Sequence, residues 1–261
     1  MLELEANIYS KDGSVAGKVE LPSVFSTKFR KDLVLRALLA EQSLEYQPQG
    51  RDPLAGLRTS ATYVGRYSVY RTQRHMGVSI RPRQKLAKGA MGEVRRIPSA
   101  RKGRRAHPSK TEKRTIEKIN RKELEKAISM AIAAGASEDV KKRHSFKESL
   151  PIVVTQDFES ISKTKELLKA LINLGLGEDL ERSHTPRLRK GLSRSSKKRH
   201  FRKSAVIIAK DPSKLELAGR NIPGIDVVGV NALRVSVLAP GGEPRLAIWT
   251  EPAIKSLEAS K

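Results

Sequence analysis

The 261-residue chain carries 52 Lys and Arg against 28 Asp and Glu, a formal net charge of +24, with no cysteine and 38% hydrophobic residues. That apolar content suffices to bury a sizeable core, in one large domain or two small ones. The missing cysteines exclude disulfides, thiolate zinc sites and thiol nucleophiles and fit a reducing intracellular compartment, and no run approaches the roughly 20 apolar residues that span a bilayer.

In chain order, the first ten residues are acidic where a signal peptide is basic, so none is expected. Residues 6–9 read as a strand. Residues 28–44 read as a helix, with Ser26 and Thr27 as candidate N-caps and Val34, Leu35, Leu38 and Leu39 on one stripe. Residues 111–134 read as a second long helix, with Leu124, Ile128, Ala131 and Ile132 at three- and four-residue spacing and Gly135 at its end. The apolar run 152–155 follows Pro151 and leads into a helix over 162–174 that carries Leu168, Leu171 and Ile172. Similar runs recur at 205–209, 226–230 and 246–250. Unbroken apolar strands alternating with amphipathic helices predict an α/β fold, a mostly parallel sheet with helices on both faces in a Rossmann-like sandwich. Residues 1–46 and 111–261 make this globular domain, and 47–110 form a long extended basic loop inserted in it.

The positive charge is concentrated. Residues 51–110 hold 16 basic and two acidic residues (Asp52 and Glu93), and 182–203 hold ten basic and none acidic. Together the windows account for the whole excess of +24, and the other 179 residues are balanced at 26 of each sign. Neither window shows the apolar period of a packed element. The 47–110 segment is far longer than an ordinary connection and has seven glycines and five prolines, so its order is expected to come from a polyanionic partner instead of its own core.

Motifs for other chemistry are weak. There is no G-x-G-x-x-G and no G-x-x-x-x-G-K-[ST]; the Gly241–Gly242 pair precedes a strand and reads as a turn. The five histidines, His75, His107, His144, His184 and His200, lack metal-ligand spacing. Asp157 and Glu159 sit where an α/β enzyme places a magnesium-binding pair, but helix N-terminal acids before Ser160 and Ser162 are the simpler reading. No metal, cofactor or catalytic residue is expected.

Three features favour RNA over a solvated linker or a targeting signal. Arginine dominates the first window, twelve to four, and its planar fork grips phosphate at two points and stacks on bases. The window has phosphate-binding candidates Arg51, Arg58, Arg66, Arg71, Arg74, Arg81, Arg83, Lys85, Lys88, Arg95, Arg96, Arg101, Lys102, Arg104, Arg105 and Lys110. Among them lie Tyr63, Tyr67 and Tyr70, faces on which unstacked bases can lie. The second window adds Arg187, Arg189, Lys190, Arg194, Lys197, Lys198, Arg199, Arg202 and Lys203 as a grip on an outer RNA segment.

The strings Ala55-Gly-Leu-Arg-Thr-Ser60, Gly103-Arg-Arg-Ala-His-Pro108 with Lys110-Thr-Glu-Lys113, Asn221-Ile-Pro-Gly224, Leu238-Ala-Pro-Gly-Gly242 and Ile248-Trp-Thr-Glu251 stand in an order that resembles the archaeal and eukaryotic branch of the ribosomal L-four family, from end to end. The resemblance implies a structural protein of the large subunit in the cytoplasmic ribosome. Its partners would be large-subunit ribosomal RNA and neighbouring ribosomal proteins, with no membrane and no small-molecule substrate. It also implies a loop threaded into that RNA whose tip reaches the peptide exit tunnel beside the L-twenty-two family. Here the tip candidates are Gly65, Arg66, Tyr67, Tyr70, Arg71, Arg74 and His75, although 62–71 depart from the family's Gly- and Arg-rich pattern.

The competing readings are a nucleotide-using enzyme with basic loops for an RNA substrate and an architectural DNA-binding protein with minor-groove arms. The first lacks a phosphate loop and an acid/base pair. If about ten of the 26 basic residues in the windows neutralise phosphates, log K for cognate RNA should fall against log salt with a slope of roughly −7 to −9. A titration giving a slope shallower than about −3 would contradict the electrostatic reading.

Overall fold

The computed structural model describes residues 5–70, 72–188 and 199–259. Strands β1 (Glu5–Tyr9) and β2 (Val15–Glu20) form a hairpin, a 3₁₀ turn covers Ser23–Ser26, and α1 spans Lys31–Glu45. Two short strands, β3 (Arg83–Lys85) and β4 (Met91–Val94), precede α2 (Arg121–Ala134) and α3 (Glu138–His144). Then come β5 (Ile152–Val154), a 3₁₀ turn at Gln156–Ser160, α4 (Thr164–Asn173) and α5 (Gly177–His184). Beyond β6 (Arg187–Leu188) and β7 (Arg199–His200) the chain runs through β8 (Val206–Ala209), α6 (Ser213–Gly219), β9 (Asp226–Gly229), α7 (Val235–Leu238), β10 (Ala247–Thr250) and α8 (Glu251–Ala259). The chain divides into two compact units, one built from the segments up to Glu45 and from Glu117 onward, the other from Tyr46–Ile116.

The first unit is an α/β fold on a six-stranded sheet of order β2-β1-β5-β10-β8-β9. Its β1–β2 pairing is antiparallel and the other four are parallel, with Ile248 opposite Ile152 on one side and Ile207 on the other. Every residue of β5, β8 and β10 is buried, which is why these strands read as unbroken apolar runs instead of alternating ones. Consecutive side chains enter different clusters. Val153, Val206, Ile208, Ala247 and Trp249 pack with Val34, Ala37 and Leu38 of α1, Ala131 and Ile132 of α2, and Ile254 of α8. Ile152, Val154, Ile207, Ala209 and Ile248 pack with Phe158 of the Gln156–Ser160 turn, Leu167, Ala170 and Leu171 of α4, and Leu215 and Ala218 of α6. Phe25 meets Trp249 edge-on, ring centroids 5.5 Å apart. Each such large side chain contributes about 1.5–3 kcal/mol when fully buried.

Several local expectations are corrected. The second long helix begins at Arg121, not at 111, because the buried stripe starts only with Leu124 and Ala127; before it Asn120 is extended, Ile116 is exposed, and the Glu117 amide donates to Ser43 Oγ at 2.9 Å. Helix α1 starts at Lys31, and Ser26 closes the preceding 3₁₀ turn by donating to the Ser23 carbonyl instead of capping a helix. The stripes shift as well. Leu35 and Leu39 are exposed while Ala37 joins Val34 and Leu38 inside, and in α4 the buried set is Leu167, Ala170 and Leu171, with Leu168 and Ile172 outside. Edge strand β2 escapes the sequence reading because Gly17 and Lys18 interrupt its pattern.

Glu159 has a different part from the one its spacing implied. Its Oε1 accepts from Thr250 Oγ1 at 2.6 Å and from the Lys210 amide at 3.0 Å, tying together the ends of β10 and β8. Asp157 and Glu159 are the acids of the first turn of the Gln156–Ser160 helix. Gly241 and Gly242, at φ +83° and +77°, make the turn before β10 that only glycine adopts without strain.

A buried polar network lies at the opposite end of the parallel strands. Arg245, 2% exposed, donates to the carbonyls of Ser204, Ala205 and Gly224 and pairs with Asp226, which also takes Lys203 Nζ at 2.7 Å. Asp179, also 2% exposed, accepts from His144 Nδ1 at 3.0 Å and from Ser204 Oγ, and pairs with Arg182. The Ser204 hydroxyl meets the carboxylate and not the imidazole, so this is no nucleophile–base pair. Burial pushes the Asp179 carboxyl up, but the bonds from His144 and Ser204 and the neighbouring positive charges outweigh it and hold the group below the ordinary range. Asp226 is likewise raised by burial but lowered further by Arg245 and Lys203.

A carboxylate whose folded pKa is depressed makes the unfolded chain bind more protons near pH 4, so its stabilisation is present above the ordinary carboxylate pKa of about 3.9 and disappears as pH falls below it. Asp179→Ala should therefore cost about 3–5 kcal/mol at neutral pH, as expected when one partner of a buried charged set is removed. Denaturant midpoints measured from pH 7 down to pH 3 should show the gap between variant and wild type closing towards the acid end. A gap independent of pH would mean that the Asp179 charge contributes nothing.

Candidate nucleic-acid interface

The Tyr46–Ile116 unit contains 18 basic and three acidic residues. Among its described residues the only buried apolar side chain is Ala61. Order comes instead from backbone pairing and polar side chains. The hairpin of β3 and β4 pairs Arg83 with Val94 and Lys85 with Met91 around a turn where Lys88 and Gly89 take positive φ, and Thr62 bridges to Arg83 beside it. The buried Gln73 side chain donates to the Thr62 carbonyl at 3.3 Å, and its amide donates to Val64 at 2.8 Å. Ser60 Oγ takes the Lys85 amide at 3.2 Å. The expectation of a segment with no structure of its own is thus corrected: it has local order without an apolar core.

Some of the predicted phosphate-binding arginines hold this unit together. Arg95 is half-buried and donates to the Arg101 carbonyl at 2.8 Å while pairing with Glu93 at 2.6 Å. Arg96 reaches the Ala61 carbonyl at 3.2 Å, Arg81 reaches Ser99 at 3.1 Å, Arg83 reaches Ser79 at 3.0 Å, and Arg58 pairs with Asp52 at 3.2 Å. Two of the unit's three carboxylates, Asp52 and Glu93, are spent on these internal pairs, leaving the outward charge almost wholly positive. Arg51, Arg66, Lys85, Lys88, Arg101, Lys102, Arg104, Arg105 and Lys110 are exposed, with no hydrogen bond or ion pair to their side chains among the described residues.

The tip candidates form a small cluster. Tyr67 Oη lies 3.1 Å from His75 Nε2 with the rings edge-on, and the Arg74 guanidinium sits 4.9 Å from the Tyr67 ring centre while its Nε donates to the Gly65 carbonyl at 2.6 Å. Tyr67 therefore already carries a cation on one face. The Tyr63 ring lies against Gly65, and Tyr70 is 84% exposed. Arg66 is exposed beside them, and Arg71 lies outside the described residues.

In the second window, Arg187 pairs in register with His200 and Leu188 with Arg199, while Arg189, Lys190, Arg194, Lys197 and Lys198 lie outside the described residues. Arg202 is exposed. Lys203 is engaged by Asp226, so the buried network holds both roots of this segment, through Arg182 before it and Lys203 and Ser204 after it. Sequence reasoning missed Gln73, Ser60, Ser79 and Ser99 as organisers. The Lys88-Gly89 turn between short alternating runs was the one available signal for the hairpin.

Among the described residues no helix is long and apolar enough to cross a membrane, and no group of three or more His, Asp or Glu could hold a metal ion. The sequence model of the Ribosomal protein L4/L1 family matches residues 19–260. The large ribosomal subunit protein uL4 of Methanospirillum hungatei is 40% identical over 258 residues, covering 97% of this chain and 98% of that protein. Those of Methanocaldococcus jannaschii and Methanococcus vannielii are each 38% identical over 262 residues, covering 98% of this chain and 98% and 99% of theirs. With the match running through both units and both basic windows, the chain belongs to the ribosomal protein L4/L1 family.

Proposed function

We infer that the chain is a structural constituent of the large ribosomal subunit, acting in translation in the cytoplasm by binding large-subunit ribosomal RNA, and that it is not an enzyme. The observation that carries this reading is the Tyr46–Ile116 unit, most of whose basic side chains are exposed while two of its three carboxylates, Asp52 and Glu93, are used internally. Such a surface is stable against its own repulsion chiefly when phosphates neutralise it. Membership of a family whose relatives are large-subunit proteins supports ribosomal RNA as that polyanion.

In this reading residues 47–110 are the extended RNA-binding loop inserted in the chain of the globular domain, and 182–203 are a second grip on RNA. The globular domain is a Rossmann-like sandwich with helices on both faces, a reading supported by the way consecutive residues of β8 and β10 enter different clusters. The cluster of Gly65, Tyr67, Arg74 and His75, with Arg66, Tyr70 and Arg71, is the part that reaches the exit tunnel beside the L-twenty-two family. Arg74 on Tyr67 gives that tip a fixed cationic face, and Tyr70 adds an exposed aromatic ring.

A chain with 51–110 replaced by a short Gly/Ser linker should retain a cooperative thermal transition, since loop length alters closure free energy by only about 0.6 kcal/mol per doubling. It should also lose most of its affinity for large-subunit RNA. Undiminished RNA binding by this variant would overturn the assignment of the loop. Deleting 67–74 should leave incorporation into subunits intact yet change arrest-peptide stalling and macrolide sensitivity. If both stay as in wild type in ribosomes shown to contain the variant, the tip does not border the tunnel.

A further inference from the structure

Helix α4 carries two apolar stripes, and the core takes only one of them. Leu167, Ala170, Leu171 and Leu174 are buried, whereas Leu168 and Ile172 stand 38% and 50% exposed on the next face round the helix. With Thr164 these two form a row at four-residue spacing that makes one wall of a groove of ≈ 500 Å³. The facing wall is the row Gly177, Leu180, Glu181 and His184 of α5. Asn221, Ile222 and Pro223, in a string that the RNA-binding account leaves unused, close the groove after α6. Single exposed aliphatic side chains are ordinary, but a contiguous concave run of them marks a docking surface. We propose that this groove receives an amphipathic helix of another protein, its apolar face lying between α4 and α5 and a Lys or Arg at its edge pairing with Glu181.

Charge selects the partner. None of the ten lining residues is Lys or Arg, and Glu181 is the one carboxylate among them. Its side chain makes no ion pair or hydrogen bond among the described residues, and the contact from Thr185 Oγ1 at 3.4 Å goes to its carbonyl. Arg182, the next residue, is turned inward to Asp179 and to the carbonyls of Arg143 and Lys203. The exposed Lys165 and Lys169 of α4 do not line the groove. Apolar walls with a single negative charge disfavour phosphate and are complementary to a cationic side chain. The walls also select a helix, because two helical faces with ridges at three- and four-residue intervals take the like-spaced ridges of a third. They are formed in advance. Ser183 Oγ donates to the Pro223 carbonyl at 2.8 Å, and the Leu176 amide donates to the Leu171 carbonyl at 3.1 Å where α4 turns into α5. Gly177 keeps the space open, since a Cβ there would meet nothing within 4 Å. A surface ordered before it binds gains affinity by cutting the ordering cost.

The proposal rests on the chain's place in large subunits for where the partner is met, and not on its RNA contacts. A photoreactive benzoylphenylalanine in place of Leu168 would be activated in purified large subunits carrying the full-length variant. The control is the same group in place of Leu217, an exposed leucine of α6 outside the groove. The position-168 probe should join a segment of another protein with apolar residues at helical spacing and a flanking Lys or Arg, well above the yield at 217. A synthetic peptide of that segment should then bind the free wild-type chain, shifting the amide signals of Leu168, Ile172 and Leu180 saturably. Glu181→Lys should weaken this binding by about fivefold or more, and a peptide with Glu in place of its basic residue should restore it. Gly177→Phe, which fills the groove and should leave the thermal midpoint unchanged, should abolish it. Cross-links from position 168 to RNA or to a second copy of this chain, or none above the control, would overturn the proposal. So would a peptide bound equally by wild type and Gly177→Phe. Absence of the chain from large subunits would overturn the reading of its function and this proposal with it, whereas presence without the cross-link overturns the proposal alone.

Discussion

Repulsion between like charges is the constraint from which the rest of this protein follows. The whole excess of +24 sits in two windows, and nowhere in them do enough apolar residues stand at helix or strand spacing to offset the cost of bringing those charges together. The balanced remainder folds around β5, β8 and β10 with every residue of those strands inside. The Tyr46–Ile116 unit solves a different problem. It buries only Ala61 among its described apolar residues and relies on arginines donating to carbonyls, serines holding backbone amides, and a hairpin. Its shape is specified locally, while its charge calls for a polyanion.

The same constraint explains why the globular unit tolerates buried charge at the root of the second window. Desolvating Arg245 and Asp179 is expensive, and a well-packed apolar set would often be as stable. What the network provides is position. Arg245 gathers the carbonyls of Ser204, Ala205 and Gly224, Asp226 holds Lys203, and Asp179, paired with Arg182 on its own helix α5, joins α3 through His144 and the start of β8 through Ser204. Both ends of the second basic segment leave from fixed points.

How much of this was legible in the sequence depended on which force wrote each feature. Strands buried on both faces leave continuous apolar runs, so 152–155, 205–209 and 246–250 were found with small errors at their ends, as was the half-buried edge run 226–230. Helix faces were harder. Leu167 with Leu171 and Leu168 with Ile172 repeat at the same interval, and only Ala170 and Leu174, both inside, decide between the stripes. The location of the excess positive charge was plain from sequence, because it depends on counting. The division of labour among the arginines was not: Arg95 and Arg66 look alike in sequence, yet one is half-buried in a bond to a carbonyl and the other is exposed. Gln73 and the serines act through single hydrogen bonds to backbone, which leave no periodic trace.

The most direct test of charge-segregated RNA binding is zero-length ultraviolet cross-linking of intact large subunits, followed by identification of the peptides joined to RNA. Cross-links should fall overwhelmingly within 46–116 and 182–203, with the balanced surface of the sheet and its helices contributing few. Cross-links spread evenly over the chain, or concentrated on the globular unit away from 182–203, would contradict it.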